Sequence, residues 1–248
     1  MPVATARRVA AAAESAGFSE LWVNGNLPRQ AFDIVAATVR ESGLRAGIGV
    51  ISLGVFSVGD IVREVEAQHL PQERLTVGIG ARPGHGALAG MSSAVGSLRR
   101  HLDCRIAVGA VGDRMKELAA RVADTALLNW APLAELRRSS TLLRMTSPPT
   151  RPVFVGAYLR CALMPEGREA LQREAKTYGA IPHYARVFAR HGIDPSETVI
   201  TGARLSDLAA KLEVAAGTVD LPIVRALQAA QDLPSIYRLI KASSPQAL

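Results

Sequence analysis

Two kinds of hydrophobic pattern alternate along the chain. Where apolar residues recur every three to four positions, we predict amphipathic helices over residues 5–16, 30–41, 59–69, 92–101 and 113–123. Where short apolar runs are bounded by glycine or charge, we predict buried strands over residues 20–23, 45–53, 74–80, 104–109, 125–130 and 152–163. Such alternation is typical of βα units arranged around a parallel sheet.

Beyond residue 164 the pattern is less regular. The helices predicted in this part cover residues 165–178, 183–191, 206–216 and 234–242. Ser206 is the predicted N-cap of the third helix. A seventh and last strand is predicted over residues 219–226, whereas residues 134–140 are predicted as only a short helical turn. Because no linker interrupts this order, we expect one domain over residues 1–248.

The composition agrees with a folded α/β protein and limits the classes of partner that we expect. The chain has 248 residues, 48% hydrophobic and 21% charged, which is enough apolar material for a core. Its net charge of +7 suits an anionic ligand or simply an arginine-rich surface. The basic residues are scattered, and no aromatic residues alternate with them as a base-stacking surface requires. We therefore do not expect nucleic acid as a partner.

Other residue types exclude several classes of site. Cys104 and Cys161 lie in apolar runs without neighbouring ligands, so we expect buried free thiols in a reducing cytoplasm. The five histidines show no metal spacing, and no metal is expected. The apolar N-terminal stretch contains Glu14 and shows no cleavage site, and no run is long enough to span a membrane.

A small-residue turn follows one of the predicted strands. Gly109, Ala110, Val111 and Gly112 lead into a helix that begins with Asp113 and Arg114. Small residues let backbone N–H groups approach a ligand, and a helix N-terminus favours an anion such as phosphate. The alternative is a plain βα turn that needs glycine for a positive φ.

A glycine-rich loop follows another strand, from Gly78 to Gly86. So many glycines indicate close approach of a ligand or mobility. No Lys-Ser/Thr pair follows, so the loop is not a P-loop. His85 is its titratable residue, and an exposed histidine without function is an equally good interpretation.

Three segments, in this order, resemble the bacterial-luciferase-like monooxygenase family. They read AAAAESAGFSELWVNGN, VEAQHLPQERLTVGIGARPG and RIAVGAVGDRMKELAARVADTALLNWAP. The resemblance covers roughly residues 1–163. It implies an α/β fold, a (β/α)8 TIM-barrel-like fold that is incomplete, with about seven parallel strands and the first strand missing. It also implies a homodimer, with the helices over residues 30–41 and 59–69 as the expected interface.

The resemblance further implies a flavin- or deazaflavin-dependent oxidoreductase that uses coenzyme F420 or FMN on a small-molecule substrate. The residues expected at the cofactor are Gly80, Ala81, Gly109, Ala110, Val111, Gly112, Asp113 and Arg114. Asn26 and His85 are expected at the substrate. Trp22 and Trp130 end strands, where each either packs in the core or forms a wall beside a planar ring.

One departure from the family leaves an alternative open. Many members have an acidic residue and a histidine after the Trp-Val strand, and here these positions are Gly25 and Asn26. An amide side chain forms hydrogen bonds but does not shuttle a proton. No general acid or base is therefore assigned, and a non-catalytic cofactor-binding relative is the second hypothesis.

Overall fold

The strands of the protein form one parallel sheet. The computed structural model describes residues 2–81, 84–227 and 233–244. Its strands are β1 (Glu20–Val23), β2 (Arg45–Ser52), β3 (Leu75–Gly80), β4 (Arg105–Gly109), β5 (Thr125–Leu128), β6 (Phe154–Leu163), β7 (Ile200–Gly202) and β8 (Leu221–Ala226). All seven predicted strands are present within a few residues of their predicted bounds.

Helices surround this sheet. They are α1 (Val3–Ser15), α2 (Pro28–Glu41), α3 (Val58–Ala67), α4 (Ala87–His101), α5 (Asp113–Val122), α6 (Leu133–Thr146), α7 (Arg168–Gly179), α8 (Pro182–His191), α9 (Leu205–Ala216) and α10 (Leu233–Ala242). Short 3-10 turns precede β3 and β7. Eight of the 14 residues of α2 are buried, so its apolar face packs on the protein's own core.

The sheet curls into an incomplete barrel. Strands β1 to β6 pair in chain order, and β8 pairs with residues 156–161 of β6. The three-residue β7 pairs with the end of β6. Within the described residues β1 pairs only with β2 and β8 only with β6, so the wall is open between them. Seven strands of an incomplete (β/α)8 barrel are thus confirmed.

Two aromatic side chains fill the inside of the curled sheet. Trp22 lies against β2, where a Cβ added at Gly47 would be 2.4 Å from the Trp22 ring. The Trp22 Nε1 donates to Glu20 Oε2 at 2.8 Å. From the opposite wall, the Tyr158 hydroxyl donates to the Gly49 carbonyl at 2.9 Å. The glycines of β2 therefore make room for side chains that reach across the interior.

The structure corrects three details of the predicted elements. Strand β7 was not predicted, because three residues carry too little periodicity to be recognised. The predicted turn over residues 134–140 is part of the 14-residue α6. Ser206 lies inside α9, whose N-cap is Arg204 without a side-chain cap. Arg204 instead bonds Asp207, so an exposed ion pair replaces the predicted serine cap.

The two cysteines are free and buried, as predicted. Burial raises the pKa of Cys104 and of Cys161 to about 12. Their thiols are therefore protonated and contribute to packing rather than to nucleophilic chemistry.

Candidate functional site

The carboxyl ends of the parallel strands meet at one end of the barrel, here called the mouth. A β-bulge between Ile48 and Ile51 interrupts the pairing of β2 with β3 and places Val50 there. Val50 packs over Gly80 and Gly109, because Cβ atoms added at these glycines would lie 2.9 and 3.2 Å from its methyl carbons. Two predicted cofactor residues from separate strands are thus brought together around one half-buried valine.

The loop after β1 backs onto the same bulge. A Cβ at Gly25 would lie 2.5 Å from the carbonyl carbon of Val50, so no larger side chain fits there. Asn26 is exposed, and its N–H donates to the Asn24 side chain at 2.8 Å. The space that an acidic side chain would need at residue 25 is occupied by the bulge backbone.

The turn between β4 and α5 has open space at its last glycine. Gly112 has φ −86° and ψ 155°, which any residue adopts, and a Cβ there would have no neighbour within 4 Å. The plain-turn explanation, a need for positive φ, therefore does not hold at residue 112. The Ala110 N–H already donates to the Leu127 carbonyl at 3.0 Å, which removes it from the expected donors. Within the described residues the N–H groups of Val111 to Asp113 have no backbone acceptor.

Cations surround the first residue of α5. The Asp113 carboxylate accepts from Arg138 and lies 3.6 Å from both Lys116 Nζ and Arg190 of α8. The hydrogen bond from Arg138 is the main reason that the pKa of Asp113 is lowered. Arg114, the next residue, is exposed. Positive charge therefore exceeds negative charge at this helix N-terminus.

A buried ionic network lies beside the turn. Glu135 of α6 accepts from Lys116, Arg138 and His191, the last at 2.9 Å. Burial raises the pKa of Glu135, but the hydrogen bonds from these three groups outweigh it, so the net shift is strongly downward. A cavity of only about 10 Å³, lined in part by Val111, separates this network from the turn.

The glycine-rich loop is described in part. Arg82 and Pro83, expected within it, lie outside the described residues. Ala81 is half-buried and His85 is exposed. Gly84 and Gly86 have φ values of 127° and 79°, and Cβ atoms there would meet nothing within 4 Å. Glycine is therefore required in this loop for its backbone conformation rather than for close packing.

Sequence reasoning missed a second polar cluster, on β6. Arg160 is 3% exposed, and its guanidinium lies 4.3 Å from the Trp130 ring and 5.1 Å from the Tyr178 ring. It donates to Asn129 and, at 3.3 Å, to Glu174 of α7. The available signal was an arginine inside the apolar run PVFVGAYLRCAL, and it was not used. Trp130 is 1% exposed, so it packs in the core.

The helices and the titratable side chains of the described ranges offer neither a candidate membrane span nor a candidate metal site. None of these helices is both long and apolar enough to cross a membrane. Nor do the same ranges bring three or more His, Cys, Asp or Glu side chains together where they would hold a metal ion.

Similar solved structures span almost the whole chain. The coenzyme F420-dependent tetrahydromethanopterin reductase from Methanopyrus kandleri aligns over 97% of this chain and 94% of its own, at 12% identity and a TM-score of 0.67. An F420-dependent secondary alcohol dehydrogenase in complex with an F420-acetone adduct aligns over 100% and 96%, at 13% identity and a TM-score of 0.76.

A structure in complex with FMN also aligns over almost the whole chain. The oxygenating constituent of 3,6-diketocamphane monooxygenase from Pseudomonas putida, in complex with FMN, covers 99% of this chain and 93% of its own at 13% identity, with a TM-score of 0.66. No protein-family model matches the chain. No curated protein matches it either. The likeness establishes the fold, and the fold expected from the resemblance is confirmed.

Proposed function

We propose that the protein is an oxidoreductase that binds coenzyme F420 or FMN at the mouth of the barrel. The observation that supports this proposal most strongly is the turn before α5. There an unobstructed glycine precedes a helix N-terminus that has excess positive charge. The solved structures with this fold include enzymes named for F420 and one in complex with FMN. A phosphate is common to both cofactors, so one turn serves either.

The residues present fit a phosphate group. The N–H groups of Val111, Gly112 and Asp113 are the donors, and a Cβ at Gly112 would fill the space that the phosphate needs. Arg114 adds a charge-assisted hydrogen bond from its exposed side chain. Ala110 contributes a buried wall rather than a donor, because its N–H is already bonded.

The rest of the mouth fits a flat aromatic ring. Val50 and the two glycines beneath it, Gly80 and Gly109, form a smooth apolar surface, and Ala81 extends it toward the glycine-rich loop. Asn26 and His85 are exposed on neighbouring loops, from which they reach a substrate. When bound, the cofactor supplies hydride transfer or oxygen activation, while these residues orient it and exclude water.

The second hypothesis, a non-catalytic cofactor-binding relative, is favoured by one observation. Gly25 is packed against the β2 bulge, so no carboxylate can stand at that position. The proposed site lacks an assigned general acid or base. Hydride transfer from a deazaflavin needs fewer proton transfers by the protein than oxygen activation does, which makes an F420-dependent reaction the preferred form of the proposal.

A spectroscopic titration tests the proposed function. Purified protein is mixed with FMN and, separately, with coenzyme F420, and the visible absorbance and fluorescence of the cofactor are followed. One cofactor bound per chain, with a shifted absorbance band, is expected for at least one of the two. No change with either, at concentrations well above a micromolar, would contradict the proposal. Binding without turnover across a panel of alcohols, ketones and aldehydes would favour the second hypothesis.

We also propose a homodimer. Two large apolar side chains in the segments after β1 and β2, Leu27 and Val55, are 65% and 75% exposed. Because exposed apolar area of this kind is often covered by a partner, we place the contact on α2, α3 and these loops. Light scattering at micromolar concentration tests it, and a 26.3 kDa species would contradict it.

A further inference from the structure

Two arginines face each other across neighbouring strands at the mouth. Arg160 of β6 and Arg225 of β8 are register partners in a parallel pair, so their side chains leave the sheet on the same face. Like charges at such positions are destabilising unless something neutralises them. The pairing of Arg160 with Arg225 is therefore expected to lower the stability of the fold unless a counter-charge is present.

The shared face is the inside of the barrel. Tyr158 lies two residues before Arg160 and so points the same way. Its hydroxyl reaches the Gly49 carbonyl on the opposite wall at 2.9 Å. Because Arg160 lies nearer the carboxyl end of β6 than Tyr158, both arginines stand inside the barrel toward its mouth.

Among the residues that the structure describes, one carboxylate contacts these two cations. Glu174 of α7 accepts from Arg160 at 3.3 Å through one oxygen and from Arg225 through the other. Asn129 accepts a further bond from Arg160 and donates to the Tyr184 hydroxyl at 2.7 Å. Burial raises the pKa of Tyr184 to about 12, so this hydroxyl is neutral. Counted over the described part of the chain, two arginines and one glutamate leave this cluster with one positive charge in excess.

The two arginines differ in what they can reach. Arg160 is held between aromatic rings and is 3% exposed, so it is fixed. The Arg225 side chain is 28% exposed, and Glu174 is its one ion-pair partner among the described residues. A buried charge in excess is costly unless an anion completes it. Arg225 is the member of the pair that a dissolved anion can approach.

We propose that Arg225, supported by Arg160, binds an anionic group of the substrate, so that the substrate class is small molecules bearing a carboxylate or a phosphate ester. The assignment to the substrate rests on the proposed function, because the cofactor phosphate is placed at the separate turn before α5. Glu174 then acts as an internal counter-ion that the substrate anion partly replaces.

Calorimetric titration with two simple anions, malonate and glycerol 3-phosphate, tests this site at low ionic strength. We expect saturable binding of at least one anion to the parent protein. Arg225→Gln should weaken it by at least about tenfold, the worth of one charged hydrogen bond. Arg63→Gln, which removes an exposed arginine of α3, is the matched control and should change the affinity by less than about twofold.

Glu174→Gln gives the sharper result. Removing the internal carboxylate raises the excess charge from one to two, so anion affinity should increase at least about threefold. If the network is purely structural, neither anion should show saturable binding, and Glu174→Gln should not increase the anion affinity. The absence of saturable binding, or the absence of an increase with Glu174→Gln, would overturn the proposal. If Arg225→Gln does not fold by circular dichroism, the parent and the Glu174→Gln protein decide the question.

Repeating the titration with cofactor present separates the two proposals. A substrate site should retain its anion affinity when FMN or coenzyme F420 is bound. Competition between anion and cofactor would assign the arginines to the cofactor and overturn the substrate assignment. If neither cofactor binds, the proposed function fails, while the titration without cofactor still decides whether this is an anion site.

Discussion

Lys116 and Glu135 form an ion pair in which each side chain is only 2% exposed. Lys116 belongs to α5 and Glu135 to α6. The pair therefore joins two neighbouring helices, both of which begin at the mouth. Arg138 and His191 bond the same carboxylate, and His191 brings the end of α8 against it. The turn proposed to bind phosphate is therefore held in place by a buried charge network.

Neutralising the carboxylate of this network should destabilise the fold. Glu135→Gln removes the nearest counter-charge of the buried Lys116 ammonium and leaves only Asp113, at 3.6 Å. Breaking a buried pair in this way costs about 3–5 kcal/mol. Urea unfolding followed by circular dichroism measures the change. Glu117→Gln, on α5 but less buried, is the control and should stay within about 0.5 kcal/mol of the parent. Equal stability of the two variants would show that the network is not stabilising.

The same network predicts a loss of stability in acid. The folded-state pKa of Glu135 lies far below the ordinary glutamate value of 4.5, and that of Asp113 lies below the ordinary aspartate value of 3.8. Groups with depressed pKa values contribute stability that is fully present above the unfolded value and is lost as the pH falls. The free energy of unfolding should therefore decrease below about pH 4.5. Glu135→Gln should show a weaker decrease, so the two unfolding curves should converge in acid.

The order of elements was predictable because each βα unit carries its own periodicity. Strands β1 and β2 begin at the predicted residues, and α5 begins at Asp113 as predicted, since a glycine turn precedes an amphipathic run. The three-residue β7 and the full length of α6 were not, because both depend on packing against distant segments. Local pattern therefore predicts units well and their exact lengths less well.

The residues of the candidate site were likewise predictable only in part. Gly80, Gly109 and Gly112 could be predicted as candidate cofactor residues, because glycines at or just after the ends of strands can be recognised in the sequence. The role of Val50 was not, because it depends on a bulge that brings its side chain over two other strands. The pairing of Arg160 with Arg225 required strand register, which a single sequence does not supply.

The packing of Trp22 predicts which glycines are structural. A Cβ at Gly47 would meet the Trp22 ring at 2.4 Å, whereas one at Gly112 would meet nothing within 4 Å. Gly47→Ala should therefore cost about 1–3 kcal/mol, as overpacking of a core does. Gly112→Ala should leave the stability unchanged or slightly higher. Thermal unfolding of the two variants checks this, and a larger loss with Gly112→Ala would contradict the described turn.

If the turn before α5 binds a cofactor phosphate, substitutions in the turn should weaken the binding of ligands that carry a phosphate. They should not change the binding of ligands that lack it. Arg114→Ala should weaken FMN binding roughly ten- to a hundredfold, the worth of a hydrogen bond to a charged group. Gly112→Val should abolish it by blocking the approach while the fold stays intact, since residue 112 has open space and an extended backbone. Neither change should alter the affinity for riboflavin, which lacks the phosphate.

Fluorescence titration of the parent, Arg114→Ala and Gly112→Val with FMN and with riboflavin is thus the most direct measurement. If coenzyme F420 is the preferred cofactor, its phosphate-free deazaflavin riboside takes the place of riboflavin. In both variants, the phosphorylated ligand should lose the higher affinity that it has over the unphosphorylated ligand in the parent protein. Variants that keep this higher affinity in full would contradict the prediction, because the phosphate would then be bound elsewhere.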